Sequence, residues 1–341
     1  MAPSTLHTFT TNKPLLLESG ITIPGYHLAY STLGSLNDKK SNVIWVFHAL
    51  TGNSDVAEWW PGLVGEGKIF DPKKYFIICV NMPGSHYGSY GPFDHDPATG
   101  EPWYHRFPFF TPRDMVRSFK PLREELGIQK IYVGIGGSMG GQQLLEWAIE
   151  ESDLFEHIIP IATNAVHSAW GRAFNASQRL CIEHDPSWHT KDPKAGSKGM
   201  EIARGIGMIS YRHYHTYEKT QIDGEEVEGF KAESYQRYQG EKLARRFNAF
   251  SYHALSRGMD AHNVGRARGG VENALKLIKA RTLSIGVTSD ILFPPSEQVF
   301  MGRHIAGAKT EIIESLYGHD GFLLEYAQLE EIISTFLNEQ K

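Results

Sequence analysis

Ile131-Tyr132-Val133-Gly134-Ile135-Gly136-Gly137-Ser138-Met139-Gly140-Gly141 runs from a short apolar, β-rich stretch into a turn crowded with glycine. The residues that follow, from Gln142 to about Glu150, read as a helix. One hydroxyl, that of Ser138, sits at the centre of the turn. Gly136, Ser138 and Gly140 have the G-x-S-x-G spacing of a nucleophile elbow, where small flanking residues allow a strained, tight reversal. Such a turn lifts the serine oxygen clear of the sheet and leaves the Met139 amide free to stabilise an oxyanion. The plain alternative is a glycine-rich turn with an incidental serine. A strand before it and a helix after it are the context that favours the nucleophile.

Working outward, apolar strand-like runs alternate with helical ones. Val43–Phe47, Tyr75–Val80, Ile131–Ile135 and His157–Ala162 are short and bounded by turn residues. Between the second and third, Thr111 to Leu126 reads as a helix, with Pro112 at its first position. This alternation predicts a mainly parallel sheet with helices on both faces, an α/β architecture. The pattern breaks after about Val166. From there to roughly Gly270 the chain is helical in character, with a polar loop over Lys219–Glu228. Strand character returns at Thr282–Val287 and Thr310–Ser315, and a last amphipathic helix runs from about Leu324 to Leu337. The expected organisation is one core domain, residues 1–166 and 271–341, interrupted by a helical lid, 167–270. A lid there would cap the carboxyl ends of the strands, the edge at which open α/β sheets bind ligands.

A chain of 341 residues buries a core large enough for this arrangement. The formal net charge of -5, with no compensating basic run, argues against nucleic acid as a partner. No apolar run is long enough to span a membrane, and Met1–Thr11 lack the apolar core of a secretory signal. Cys79 and Cys181 are too few for a disulfide framework, and Cys79 reads as a buried small hydrophobe. With no CxxC pair and no HExxH helix, no metal and no bound cofactor are expected. The expected compartment is the cytoplasm.

A serine hydroxyl is a poor nucleophile at neutral pH and needs a base, normally a histidine held by a carboxylate. In this fold type the order along the chain is serine, acid, histidine. Asp290 directly follows the strand Thr282–Val287. His319 lies on a later loop, between glycines that allow it to be tight. An aspartate after a strand is often only a turn residue. His304 competes as the base but sits in a helix-like segment. Asp320 competes as the acid, but as the neighbour of His319 it would point elsewhere. Three residues in the expected order, each at an element boundary, favour Ser138, Asp290 and His319 together. The second oxyanion donor is expected from the loop after Val43–Phe47, where the amide of Leu50 would stand beside that of Met139.

At this point the chain resembles the homoserine O-acetyltransferase family of α/β-hydrolase-fold acyltransferases. The resemblance rests on His48-Ala-Leu-Thr-Gly52, Gly136-Gly-Ser-Met-Gly-Gly141 with Glu146-Trp-Ala148, and Gly318-His-Asp320. It continues through the helical region, in Gln178-Arg179, Asp185–Trp188, Ala203–Arg212, Glu233–Gly240 and Asp260–Gly270. It implies an α/β-hydrolase fold and ping-pong acyl transfer, in which Ser138 takes the acyl group of acetyl-CoA and passes it to the hydroxyl of L-homoserine. It also implies that Arg204 pairs with the substrate carboxylate and Asp320 with its ammonium, that Tyr211 lies near the acyl centre, and that the protein is a homodimer through its lid. The seven-residue spacing of Arg204 and Tyr211 puts both on one helix face. Succinyl-CoA as donor, serine as acceptor, and simple ester hydrolysis use the same three residues and remain alternatives. Departures from the family pattern are Tyr90 in the loop Asn81–Pro92, Asn53, and a shorter stretch over Lys191–Lys198. Tyr90 and Asn53 are expected near the acyl pocket, where they would bear on the choice of donor.

Overall fold

The computed structural model describes residues 4–339. Ten strands are present: β1 (Thr5–Thr11), β2 (Leu15–Leu16), β3 (Thr22–Ile23), β4 (Tyr26–Leu33), β5 (Val43–Phe47), β6 (Phe76–Val80), β7 (Ile131–Gly137), β8 (Phe155–Ile161), β9 (Arg281–Val287) and β10 (Lys309–Ile313). The helices are α1 (Val56–Trp59), α2 (Pro112–Glu125), α3 (Met139–Glu150), α4 (Ala169–Glu183), α5 (Ser197–Tyr211), α6 (Tyr214–Thr220), α7 (Lys231–Ala244), α8 (Ala249–Asp260), α9 (Val271–Leu275), α10 (Pro295–His304) and α11 (Tyr326–Asn338). Eight strands form one sheet in the order β1-β4-β6-β5-β7-β8-β9-β10. The six from β6 to β10 are mutually parallel; β4 pairs antiparallel with β6, and β1 antiparallel with β4.

Period-two alternation explains why the central strands are apolar throughout. In β5, Val43, Trp45 and Phe47 face one core layer, while Ile44 and Val46 face the other. On the first face Trp45 meets Trp147 of α3 edge-on, with ring centroids 4.9 Å apart, and Phe119 of α2 packs beside them. The second face carries Trp60, Phe322 and the α11 residues Leu329 and Ile333. Helix α2 begins as expected, with Pro112 first. Thr111 accepts from the Asp114 amide at 3.2 Å and Asp114 accepts from the Thr111 amide at 3.0 Å, a reciprocal cap. Arg113, on the same first turn, reaches Glu146 of α3 at 2.9 Å and Glu18, between β2 and β3, at 2.8 Å, so one buried ion pair joins the two helices and a second ties α2 to the N-terminal segment.

Two features differ from the sequence reading. No strand was expected before Val43, yet β1 pairs with β4 over seven residues, from Thr5↔Thr32 to Thr11↔Tyr26. Its threonines are β-branched and suit an edge strand that needs no continuous apolar face, so the apolar content gave no signal. Helix α3 also starts at Met139, immediately after Ser138, rather than at Gln142. Between β8 and β9 the chain forms α4 to α9 and no strand. Helix α5 packs on α4, on α7 and on the short 3-10 turn Gly318–Leu323 that follows β10. Among the described residues no helix is long and apolar enough to cross a membrane.

Candidate active site

Ser138 joins β7 to α3 with φ +56° and ψ −127°, a left-handed region that non-glycine residues seldom occupy. The flanking glycines explain how this turn exists. A Cβ on Gly140 would lie 2.1 Å from the Phe47 carbonyl oxygen, and one on Gly136 would lie 2.7 Å from the Gly140 carbonyl carbon. Backbone blocks both positions, so the spacing read from the sequence is a packing requirement. The turn is pinned by the Ser138 amide donating to Ile161 O at 3.0 Å and by the Thr163 hydroxyl donating to Ser138 O at 2.7 Å. Ser138 itself is 5% exposed.

Asp290 follows β9 and His319 sits in the 3-10 turn after β10, so the sheet brings together residues 29 apart in sequence. His319 Nδ1 lies 2.7 Å from Asp290 Oδ2. The other carboxylate oxygen, Oδ1, accepts from the amides of Leu292 and Phe293, both at 2.8 Å. That leaves Oδ2 aimed at the imidazole, which donates from Nδ1 and keeps Nε2 as an acceptor. Burial disfavours the imidazolium, but the charges of Asp290 and Asp320 and the bond to Asp290 outweigh it, so the His319 pKa is raised. His304 lies at the end of α10, bonded through Nδ1 to Phe300 O and close to Glu272. Asp320 does point elsewhere, standing 3.0 Å from Arg212 Nε.

Ser138 and His319 open onto one cavity of about 230 Å³. Leu50 lines it as well, from the loop that leaves β5. Among the described residues the Leu50 amide has no acceptor, and Met139, the first residue of α3, has an amide with no partner inside its helix. The Leu50 loop owes its shape to His48, which sequence reasoning gave no role. The His48 ring is buried; its Nε2 accepts from the Met82 amide at 3.2 Å while Nδ1 donates to Ala49 O at 2.9 Å. Burial pushes its pKa down to about 4, so it stays neutral and can act as that acceptor. A histidine directly after a buried strand was the available signal.

Arg204 and Tyr211 both line the same cavity from α5, with the guanidinium carbon 5.3 Å from the tyrosine ring centroid. Tyr211 also lies over His319, at 5.9 Å between rings. Asp320 lines the cavity too, with Arg212 behind it. Arg246, from the chain just after α7, is a further lining residue that sequence reasoning missed. Tyr90 and Asn53 are not in the cavity wall. Tyr90 accepts from the indole of Trp103 at 2.8 Å and packs on Phe107, and Asn53 caps the amide of Asp55 at 2.9 Å. Both departures from the family pattern are therefore local structure rather than pocket. Cys79 is buried in β6, as expected. No group of three or more metal-binding side chains occurs among the described residues.

The model of the α/β hydrolase fold family matches residues 42–178. Homoserine O-acetyltransferase of Cyclobacterium marinum is 49% identical, the match covering 98% of this chain and 96% of that protein. A crystal structure of homoserine O-acetyltransferase from Bacillus anthracis superposes with a TM-score of 0.92 at 24% identity, covering 100% of this chain and 99% of that one. Esterase E22 does so with 0.91, also at 24% identity, covering 98% and 100%. At that identity these two likenesses concern the fold alone. Fold and relatives together make this chain an α/β-hydrolase-fold enzyme. Within that class it belongs to the homoserine O-acetyltransferase family.

Proposed function

We propose that this enzyme moves the acetyl group of acetyl-CoA to the hydroxyl of L-homoserine through an acetyl ester on Ser138, a step towards methionine. The observation that carries the reading is the His319–Asp290 contact of 2.7 Å on the cavity that also holds Ser138, Arg204 and Asp320. In the first half-reaction His319 Nε2 takes the Ser138 proton as Oγ attacks the thioester carbonyl. Asp290 holds the imidazolium that forms. Negative charge gathers on the carbonyl oxygen, facing the amides of Leu50 and Met139, which need no reorganisation to receive it. Collapse expels the CoA thiolate, and His319 returns a proton to it. Homoserine then enters; His319 takes its hydroxyl proton as the oxygen attacks the acetyl-serine, and on collapse His319 gives that proton to the departing Ser138 Oγ, releasing the O-acetyl product and restoring both groups.

A zwitterionic acceptor needs one fixed cation and one fixed anion. Arg204 suits the carboxylate because a guanidinium binds it bidentately. Asp320 suits the ammonium, and Arg212 fixes the orientation of its carboxylate. Tyr211, in contact with the Arg204 guanidinium and tilted against the His319 ring, would fill the space beside the acyl carbon. We assign 1–166 and 271–341 to the core and 167–270 to a helical lid, which keeps water from the ester. The exposed apolar side chains Trp170, Ile202 and Ile209 on α4 and α5 support a homodimer through the lid. Light scattering is expected to give twice the chain mass. The relatives' biosynthetic role supports a cytoplasmic setting.

Hydrolysis is the second reading, because water reaching the same cavity could attack the same acetyl ester on Ser138. One assay separates them: thiol release from acetyl-CoA and from succinyl-CoA, with homoserine, with serine and with no acceptor. Transfer predicts rapid release only with acetyl-CoA and homoserine together. Equal release without an amino acid would favour the esterase, and a preference for succinyl-CoA or serine would correct the substrate.

A further inference from the structure

The charges on the cavity wall do not balance. Its lining includes two arginines, Arg204 and Arg246, and one aspartate, Asp320. Asp320 already has Arg212 as its counter-ion. Among the described residues neither Arg204 nor Arg246 has a carboxylate within 4.0 Å. A cavity with two uncompensated guanidinium groups is built for two anionic groups from its ligands. The acceptor's carboxylate satisfies Arg204 and leaves Arg246 without a counter-ion.

Arg246 is held in a way that keeps part of it free. Its Nη1 donates to Thr51 O at 2.7 Å and to the Tyr87 hydroxyl at 2.6 Å, while Nη2 reaches Thr51 Oγ1 at 3.4 Å. All these partners are neutral, so they fix the guanidinium without cancelling its charge. They use the end formed by the two terminal nitrogens. The side formed by Nε–H and the second Nη2–H has no acceptor, and that fork matches the oxygens of a phosphate bidentately. Arg246 is exposed while Ser138 is 5% exposed and both line one cavity, so Arg246 stands on its solvent-facing side. An acyl group at Ser138 lies inside, and the anion that reaches Arg246 belongs to the part of the donor directed at solvent. A short dicarboxylic acyl chain would keep its free carboxylate near the inner end.

We propose that Arg246 is a phosphate subsite for the acyl donor, gripping the phosphorylated tail of the coenzyme thioester. This rests on the acetyl-CoA reading above.

The test compares wild type with Arg246→Gln and Arg246→Lys, using acetyl-CoA, succinyl-CoA and the phosphate-free thioester S-acetyl-N-acetylcysteamine, each with L-homoserine. For R246Q the kcat/KM for acetyl-CoA is expected to fall about tenfold or more, mainly through KM, the cost of one charge-assisted contact. Turnover of the phosphate-free donor and KM for homoserine are expected to stay as in wild type, and R246K to recover part of the loss. Equal losses with both donors would make Arg246 a brace for the Thr51 loop and overturn the proposal. No loss with either would make it an idle surface arginine. A loss confined to succinyl-CoA would mean that it reads the acyl group's own carboxylate, which also overturns it. Calorimetric titration of free CoA is independent of turnover. It should show binding to wild type weakened about tenfold in R246Q, with pantetheine unaffected. If wild type binds CoA but transfers no acetyl group, the acetyl-transfer reading fails while the subsite stands; if CoA binding ignores Arg246, the subsite fails alone.

Discussion

Ser138, Asp290 and His319 rise from the ends of β7 and β9 and from the turn after β10, each 5% exposed or less. Arg204 and Tyr211 come from α5 and Arg246 from the chain after α7, all partly or fully exposed and none in an ion pair among the described residues. The strand-end groups are held by backbone: both Asp290 oxygens are committed, and the Ser138 turn is closed by two hydrogen bonds and two glycines that admit no side chain. The other groups leave donors unspent: among the described residues Arg246 is held only by Thr51 and the Tyr87 hydroxyl, and Arg204 lies beside the Tyr211 ring. The contrast separates two tasks. On the function proposed above, proton transfer and nucleophilic attack, which tolerate little misplacement, would fall to the sheet, and recognition, which needs charge waiting for a counter-charge, to the helices laid over it.

The sharpest break of that comparison removes a strand-end group. Ser138→Ala should lower thiol release by roughly 10⁴-fold or more while the circular dichroism spectrum stays native. The acetyl adduct seen by intact mass in wild type should vanish. A variant that keeps most of its activity would remove the serine from the chemistry. Asp290→Asn should follow, with kcat down on the order of 10³–10⁴-fold. The pH profile belongs with it. Only neutral His319 can accept the serine proton, so activity falls as pH drops through its pKa. Because that pKa is raised by Asp290 and Asp320, the acid limb lies above the ordinary histidine value. Any residual activity of D290N should have its acid limb shifted to lower pH.

A change on the helical side should act on binding instead. Arg204→Gln is expected to raise KM for homoserine about 10–100-fold, with KM for the donor little changed. A fall in kcat alone would erase the division of labour. Smaller still in activity terms, Gly140→Ala forces a Cβ against the Phe47 carbonyl and should cost about 1–3 kcal/mol, read as a lower thermal midpoint.

Buried neutral histidines supply one more test, of the scaffold as a whole. Burial pushes His48 and His167 down to about 4 and His262 to about 3. Between those values and 6.5 the unfolded chain binds protons that the folded protein does not, so stability should decline as pH falls across that window. The raised pKa of His319 works in the opposite sense, but it is one group against three. Denaturant midpoints measured from pH 7 to pH 4 should therefore fall; a flat profile would mean these rings are hydrated.

Much of this was legible in the chain. The central parallel strands announce themselves because a strand buried on both faces must be apolar along its length, as β5 and β6 are. The elbow announces itself because Gly136 and Gly140 answer a local steric demand. Asp290 and His319 are readable from their places after strands. What stayed hidden depends on contacts between distant segments. β1 is a threonine-rich edge strand whose partner begins fifteen residues beyond its end. His48 acquires its role only when Met82 offers an amide to its ring. Tyr90 and Asn53, expected near the acyl pocket, are turned away by bonds to Trp103 and Asp55.

By itself the sequence determined the parallel sheet, the position of the Ser138 turn and the places of Asp290 and His319 after later strands, because period, turn sterics and chain order are local or one-dimensional quantities. Only the tertiary structure decided which charges meet. Asp320 is compensated by Arg212, whereas Arg204 and Arg246 are left with charge to offer. That outcome depends on how α5 and the end of α7 lie over the strand ends. Coulombic pairing depends on distance through space, which the spacing of residues along a chain does not specify.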